Sequence, residues 1–222
     1  MKPSKVLLLL LLSAVLLIAC GDDDYYYPSV KLEFLTARST AAGTLGTVIT
    51  DEGETYPIIE DLSHTRTTPD STLRIVSNYE VITTSEGTQG VKLYALAAAL
   101  SPLPKPADAF QEGVKHDAAE VTSIWAGLHY LNILLDLKAQ NRTHTIGFVQ
   151  ESVTDNEATR HRTVHLSLYH DNGGDVPAYS RRVYASVPLQ PYYTENIRQL
   201  TVLFEYTTYE GEQKQYQVEI VP

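Results

Sequence analysis

The chain has 222 residues, with 17 Lys and Arg against 27 Asp and Glu, and a formal net charge of −10 at pH 7. This acidic balance disfavours DNA or RNA as a partner, because nucleic-acid affinity comes largely from Lys and Arg that neutralise phosphates. The single cysteine excludes a disulfide or a zinc–thiolate cluster within one chain.

Residues 1–19 have the features of a lipoprotein signal peptide. Lys2 and Lys5 precede an apolar run, 6–18, which is too short for the about 20 apolar residues that cross a bilayer. Leu17-Ile18-Ala19-Cys20 resembles a bacterial lipobox, so Cys20 is the predicted lipid attachment site, where a diacylglycerol and an acyl group such as palmitate would be added. The alternative is an ordinary signal peptide cut near Ala19, which would leave a free thiol.

Residues 20–29 are predicted to be an acidic, flexible tether, since the run Asp22-Asp23-Asp24 cannot pack. The run resembles the export signal that some diderm bacteria place after the lipidated cysteine. It therefore predicts an outer-membrane lipoprotein exposed at the cell surface, with a periplasm-facing location as the alternative. Without Lys2 and Lys5, 15 basic and 27 acidic residues remain, a net charge of −12. The membrane contact is therefore expected through the lipid.

Residues 30–100 alternate between apolar and polar positions with a period of two, which is typical of half-buried strands. Val30, Leu32 and Phe34 begin the pattern, and acidic or glycine-containing turns interrupt it at 51–54 and 85–87. About five short strands in this length predict a small OB-like β-barrel.

Residues 101–116 are predicted to be a proline-rich linker, because Pro102, Pro104 and Pro106 stiffen the chain and end regular structure. The alternation resumes more clearly in 117–222, where about seven strands predict an Ig-like β-sandwich. Trp125 is the expected anchor of its core. No long 3.6-residue period is present, so the fold class is all-β.

Several segments resemble the NigD-like family of bacterial lipoproteins. They are Leu73-Arg74-Ile75-Val76-Ser77-Asn78-Tyr79, Trp125, Tyr130-Leu131-Asn132-Ile133, His144-Thr145-Ile146, Leu166-Ser167-Leu168-Tyr169-His170 and the turn Asn172-Gly173-Gly174-Asp175, together with the lipobox and the tether. The resemblance implies an N-terminal OB-like barrel, a C-terminal Ig-like sandwich and no assigned catalytic residues. The family name comes from a bacteriocin operon, and it implies a role in immunity.

We expect no metal site, no cofactor and no enzyme. His161 and His165 would share one face of a helix, but the alternation around them predicts a strand, on which four residues span roughly 13 Å. Two ligands of one zinc ion each lie about 2 Å from it. No Gly-x-Ser-x-Gly motif and no glycine-rich phosphate loop is present.

Fifteen tyrosines, against four Phe and one Trp, suit either strand rims or a binding surface. Strand-rim packing is the main interpretation. In the functional interpretation, Tyr56, Tyr79 and Tyr94 of the barrel face a protein or glycan ligand. Asp70-Ser71-Thr72 resembles an O-glycosylation acceptor, which makes Ser71 a candidate modification site.

The sequence thus predicts a monomeric, non-catalytic cell-envelope lipoprotein that binds another macromolecule. Immunity against a bacteriocin is one form of that function, implied only by the family resemblance. A glycan-binding accessory lipoprotein and a cryptic hydrolase are the alternatives.

Overall fold

The computed structural model describes residues 28–220, which form two β domains. The predicted signal peptide 1–19, Cys20 and most of the tether lie outside the described residues. Within 28–220, no helix is long and apolar enough to cross a membrane.

The N-terminal domain is a closed five-stranded barrel with strand order β1-β2-β3-β5-β4. Strands β3 and β5 pair in parallel, and the other neighbours are antiparallel. Alternate apolar side chains of these strands fill its interior. The strands are β1 (Lys31–Ser39), β2 (Leu45–Thr50), β3 (Thr55–Asp61), β4 (Thr72–Thr83) and β5 (Gln89–Ala98).

The C-terminal domain is a sandwich of two sheets, with orders β13-β12-β10-β9-β6 and β11-β8-β7. The only helices within 28–220 are two short 3-10 turns, at Ala107–Ala109 and Gln190–Tyr192. The strands are β6 (Lys105–Pro106), β7 (Glu120–Ala126), β8 (Tyr130–Ala139), β9 (Thr145–Asn156), β10 (His161–Asp171), β11 (Tyr179–Pro188), β12 (Gln199–Thr207) and β13 (Gln213–Ile220).

The two faces of the smaller sheet have different neighbours. Leu131, Ile133 and Leu135 of β8 point inward and are fully buried in the sandwich core. The residues between them point outward, because successive side chains of a strand alternate between faces. Asn132 lies on this outer face, yet it is fully buried as well, since the barrel packs against that face.

The connection between the domains is attached to the sandwich. The backbone N–H of Leu100 donates to Tyr184 O, and its carbonyl accepts from the N–H of Ser186, both at 2.8 Å. The Ser101 hydroxyl also donates to Ser186 O at 2.7 Å. The chain therefore leaves the barrel along the edge of β11 and reaches the larger sheet at β6, which pairs with β9.

The predicted fold class, an OB-like barrel followed by an Ig-like sandwich, is confirmed. The placement of Trp125 in the sandwich core is wrong. Its position on β7 opposite Asn132 puts it on the outer face of the smaller sheet, where 38% of the residue stays exposed. There its ring packs edge-on against Phe34 of the barrel, with ring centroids 5.5 Å apart.

Candidate functional site

A buried arginine joins the two domains. Arg74 lies on β4 of the barrel, and its side chain is 2% exposed. Nη1 donates to Thr36 Oγ1 at 3.1 Å, and Nη2 donates to Asp51 Oδ1 at 2.5 Å, both within the barrel. Nε donates to Ser186 Oγ and Nη2 to Asn132 Oδ1, each at 3.0 Å and both in the sandwich. One guanidinium thus satisfies acceptors on both sides of the interface.

The partners of Arg74 also bond to each other. Asn132 Nδ2 donates to Asp51 Oδ2 at 2.6 Å, and the Ser186 hydroxyl donates to Asn132 Oδ1 at 2.7 Å. The guanidinium lies over the ring of Tyr130, 4.2 Å from its centroid, which adds a cation–π contact. A satisfied buried polar network of this kind fixes one arrangement of the elements that carry it.

A glycine leaves room for the acidic member of the network. Gly127 follows Ala126, the last residue of β7, and a Cβ atom at Gly127 would overlap the Asp51 carboxylate. The β2–β3 turn can therefore insert its carboxylate against the β7–β8 hairpin. Nearby, Gly53 has φ +90°, a conformation that favours glycine, and it lies beside Leu128 of the same hairpin.

An open groove lies next to this network, between the barrel and the outer face of the smaller sheet. Phe34 forms its aromatic centre, with ring centroids 5.5 Å from Trp125 and 6.1 Å from Tyr184, both edge-on. We call it the interdomain groove. Its lining residues are Leu32, Glu33, Phe34, Asp51, Glu52, Val76, Trp125, Leu134 and Tyr184.

The charged side chains of the interdomain groove are all carboxylates. Asp51 is paired with Arg74, whereas Glu52 makes no ion pair within 28–220. Glu33 accepts a hydrogen bond from the Tyr79 hydroxyl at 2.6 Å, and it lies 3.9 Å from Lys31 Nζ. Burial raises the pKa of Tyr79 well above its usual value, and the hydrogen bond to the Glu33 carboxylate raises it further. The Tyr79 hydroxyl therefore keeps its proton and acts as the donor. The groove therefore combines an aromatic floor with an acidic rim.

The three tyrosines predicted to face a ligand do not line the interdomain groove. Tyr79 is fully buried in the barrel core, so its assignment to a ligand-facing surface is wrong: its position on β4 points inward. Tyr56 and Tyr94 are half-buried, and their hydroxyls donate to Glu54 and Glu80, each at 2.7 Å. Neither of these two lines the interdomain groove.

The predicted modification sites stay predictions. The Ser71 hydroxyl donates to the carbonyl of Thr68 at 2.6 Å, and its backbone N–H donates to Ser39 Oγ at 2.8 Å. Cys20 lies outside the described residues.

The strand assignment of the two spaced histidines is confirmed, since His161 and His165 both lie on β10. His161 Nε2 is 2.8 Å from Thr201 Oγ1, and His165 Nε2 is 3.1 Å from Glu205 Oε1. Within 28–220, no group of three or more His, Cys, Asp or Glu side chains is arranged to hold a metal ion.

A second histidine pair joins strand β10, which carries His170, to the segment before β9, which carries His144. His170 Nδ1 lies 3.0 Å from the carbonyl of Asp117, which only accepts, so this nitrogen carries the hydrogen. His170 Nε2 then accepts from His144 Nδ1 at 2.9 Å, while His144 Nε2 faces Asp175 Oδ2 at 3.3 Å. The geometry makes His170 Nε2 the acceptor and His144 Nδ1 the donor of this contact. Burial lowers the pKa of His170, and the electrostatic interaction with His144 lowers it further.

The fold and the groove define a class: a two-domain β protein whose barrel and sandwich share a polar interface and form a groove between them. A family model, the NigD-like C-terminal beta sandwich domain, matches residues 102–220. A solved NigD-like immunity protein from Bacteroides caccae is 37% identical, with a TM-score of 0.75, over 89% of this chain and 100% of that one. The chain belongs to the NigD-like family.

More distant structures share the fold. A protein of unknown function from Bacteroides vulgatus is 16% identical, with a TM-score of 0.68, over 87% of this chain and 92% of that one. A candidate lipoprotein from Bacteroides fragilis is 12% identical, with a TM-score of 0.58, over 86% of this chain and 98% of that one. A comparison with curated proteins gives no match.

Sequence reasoning missed the residues that build the interface. Arg74 and Asn132 each interrupt an apolar strand segment, and this interruption is the signal that could have found them. A polar side chain in such a segment is either solvated or paired in the interior. The pairing itself joins β4 to β8, 58 positions apart, and it follows only from the packing of the two domains.

We expect Arg74→Met to lower the free energy of unfolding by about 3–5 kcal/mol, because it leaves the Asp51 carboxylate without its counter-charge. Adding Asp51→Asn should recover part of this loss, since the amide needs no counter-charge. Urea denaturation of both single variants and the double variant gives the coupling energy. Arg38→Met, at an exposed barrel position, is the matched control. Strict additivity of the two substitutions would contradict a direct link between Arg74 and Asp51.

A buried neutral histidine makes the sandwich sensitive to acid. Because the folded pKa of His170 is lowered, the unfolded chain binds the proton first, and stability falls as pH drops below about 6.5. We expect the advantage of the native protein over His170→Asn to shrink from about pH 7.5 to about pH 5.5, by up to about 1.4 kcal/mol per pH unit. The control is His64→Asn, at an exposed position with φ 51°. A constant advantage across this range would refute the assignment.

Proposed function

We propose that this chain is a non-catalytic cell-envelope lipoprotein that captures a cationic peptide or protein segment in the interdomain groove, and that this capture confers immunity to a toxin. The observation that most directly supports this proposal is the acidic rim of Glu33 and Glu52 around the aromatic floor of Phe34 and Trp125. The name of the 37%-identical Bacteroides caccae structure, a NigD-like immunity protein, supports the immunity part.

Exposure and charge favour a cationic, amphipathic occupant. Leu32 is 58% exposed and Trp125 38% exposed, and both line the groove, so both offer apolar surface to a partner. Glu52 is exposed and makes no ion pair within 28–220. The net charge of −10 would draw a cationic partner towards the protein as a whole. Such a segment would place Lys or Arg at the rim and an apolar side chain against Trp125.

A glycan is the second candidate, because an aromatic side chain beside carboxylates also suits a sugar ring. Sugar hydroxyls both donate and accept hydrogen bonds, however, whereas Glu33, Asp51 and Glu52 only accept when ionised. The side chains of Lys and Arg only donate hydrogen bonds, so carboxylate acceptors alone can satisfy them. The chemistry of the lining therefore fits a cationic peptide better than a neutral glycan.

A hydrolytic function has less support. The Asp51 carboxylate is the most buried acid of the groove, with a side chain 15% exposed, and Arg74 and Asn132 occupy both of its oxygens. It is thus held by the interface and is not placed as a free general acid or base. Trp125 and Phe34 bring no nucleophile to the groove.

The envelope location rests on the lipobox, 17–20, and on the apolar run before it. One acyl chain binds a membrane marginally, and two or more hold it stably. Outer-membrane placement with exposure at the cell surface remains part of the proposal, supported by the acidic run 22–24.

The binding proposal is tested with the lipid-free protein, residues 21–222, by isothermal titration calorimetry. The probes are a designed amphipathic peptide of Lys and Leu, the same peptide with Glu for Lys, and a neutral oligosaccharide. We expect the Lys peptide to bind at least about tenfold more tightly than the Glu peptide, a difference of about 1.4 kcal/mol that shrinks with salt.

Matched variants locate the binding surface. Trp125→Ala and Glu52→Gln should each weaken the Lys peptide about fivefold or more, which is about 1 kcal/mol. The controls are Leu103→Ala and Glu210→Gln, which change an exposed apolar and an exposed acidic residue away from the groove. Equal affinity for both peptides, or equal effects of groove and control variants, would refute the peptide proposal. Tighter binding of the oligosaccharide would favour the glycan instead.

We expect radiolabelled palmitate to enter the native chain and not Cys20→Ser, and the variant to leave the membrane fraction. Proteolysis of intact cells then tests exposure at the surface. A Cys20→Ser protein that stays membrane-bound would refute lipid anchoring, and protection equal to that of a periplasmic control would refute surface exposure.

A further inference from the structure

The sandwich is open between its sheets at the end where β11 begins, near Tyr179. On β11 the inward positions Ala185 and Val187 are fully buried. Because side chains alternate along a strand, Tyr179, Arg181 and Val183 point to the same inner face. Tyr179 is nevertheless 59% exposed and Arg181 is exposed. The larger sheet therefore does not cover this end of β11.

The opening is a cleft with a volume of about 460 Å³, which lies within the range of about 300–1,000 Å³ for small-ligand pockets. Leu137 of β8 and Val183 of β11 line it from the smaller sheet, and Ile146 of β9 lines it from the larger sheet. Leu100, which is 42% exposed, closes the side where the interdomain connection crosses. We call it the intersheet cleft. These aliphatic side chains form the apolar part of its lining, beside polar residues of the segment 140–144.

The charged groups of the intersheet cleft are cationic, in contrast to the protein as a whole. Arg142 and Arg181 both line it. Nη1 of Arg142 donates to the carbonyl of Gly173 at 2.7 Å, which fixes the position of this side chain. Arg181 makes no side-chain hydrogen bond or ion pair within 28–220, so its five donors face solvent or a ligand.

The carboxylate of Asp175, next to the lining residues 140–144, is occupied by other partners. Asp175 faces His144 Nε2 at 3.3 Å, and its oxygens also accept from the backbone N–H groups of Gln140 and Asn141. These backbone donors keep the pKa of Asp175 far below its usual value, so it stays ionised and occupied by its own partners. The Tyr179 hydroxyl donates to the carbonyl of Gln140 and holds its ring across one end of the cleft.

We propose that the intersheet cleft binds an alkyl carboxylate, the anionic head against Arg181 and Arg142 and the chain along Leu137, Ile146 and Val183. A guanidinium and a carboxylate form paired, charge-assisted hydrogen bonds. The apolar wall gains from covering an alkyl chain in proportion to the area removed from water. A cation is repelled by two arginines, and a fully polar ligand would leave the wall uncovered. This site is separate from the interdomain groove, so each of the two proposals can fail alone.

Three ligands separate the contributions of head and tail in calorimetric titrations of residues 21–222. Decanoate has both, decanol has the tail alone, and acetate has the head alone. We expect saturable 1:1 binding of decanoate, at least about tenfold tighter than decanol, and no measurable binding of acetate. Decanoate binding no tighter than decanol binding, or no decanoate binding, would overturn the proposal.

Variants at exposed positions test the head-group contact without disturbing the fold. Arg181→Gln should weaken decanoate about tenfold and leave decanol unchanged. Arg198→Gln removes the same charge from another exposed position of the sandwich and should change neither affinity. Equal weakening of decanoate in both variants would show a general charge effect and would overturn the assignment to Arg181.

Discussion

The pairing of Arg74 with acceptors from both domains is the constraint on which the rest of the structure depends. A buried guanidinium is costly unless its donors are satisfied, and Thr36, Asp51, Asn132 and Ser186 satisfy them together. Because two of these acceptors belong to the barrel and two to the sandwich, the domains meet in one relative position. The interdomain groove is a consequence of that position, since its walls come from both domains.

The local pattern of the sequence predicts the strands and the two domains that they form. It does not predict which face of a sheet is covered by the other domain. Period-two alternation is sufficient to predict the barrel, the sandwich and the strand that carries His161 and His165. It assigns a face to Trp125 and Asn132, but it cannot say that the barrel covers this face. The prediction that Trp125 anchors the sandwich core is therefore wrong. The prediction of Tyr79 as a surface residue is wrong, although the alternation held the signal: Tyr79 lies on the same face of β4 as Leu73, Ile75 and Val81, which point into the barrel.

The net charge of the whole chain does not describe the local charge of its two proposed sites. The interdomain groove is acidic at Glu33 and Glu52, whereas the intersheet cleft has Arg142 and Arg181 beside an apolar wall. The two sites lie on opposite faces of the smaller sheet, one outside the sandwich and one between its layers. The net charge of −10 favours cationic partners for the protein as a whole. The intersheet cleft, with its two arginines, has the opposite preference.

The most direct test of a single, fixed arrangement of the domains is a distance distribution between spin labels on them. Cysteines at Arg38 and Arg198, both exposed, place one label on the barrel and one on the sandwich, with Cys20 changed to Ser. Pulsed electron paramagnetic resonance should give one narrow distance peak in the native background and a broad distribution when Arg74 is changed to Met. A broad or double-peaked distribution in the native background would contradict the account.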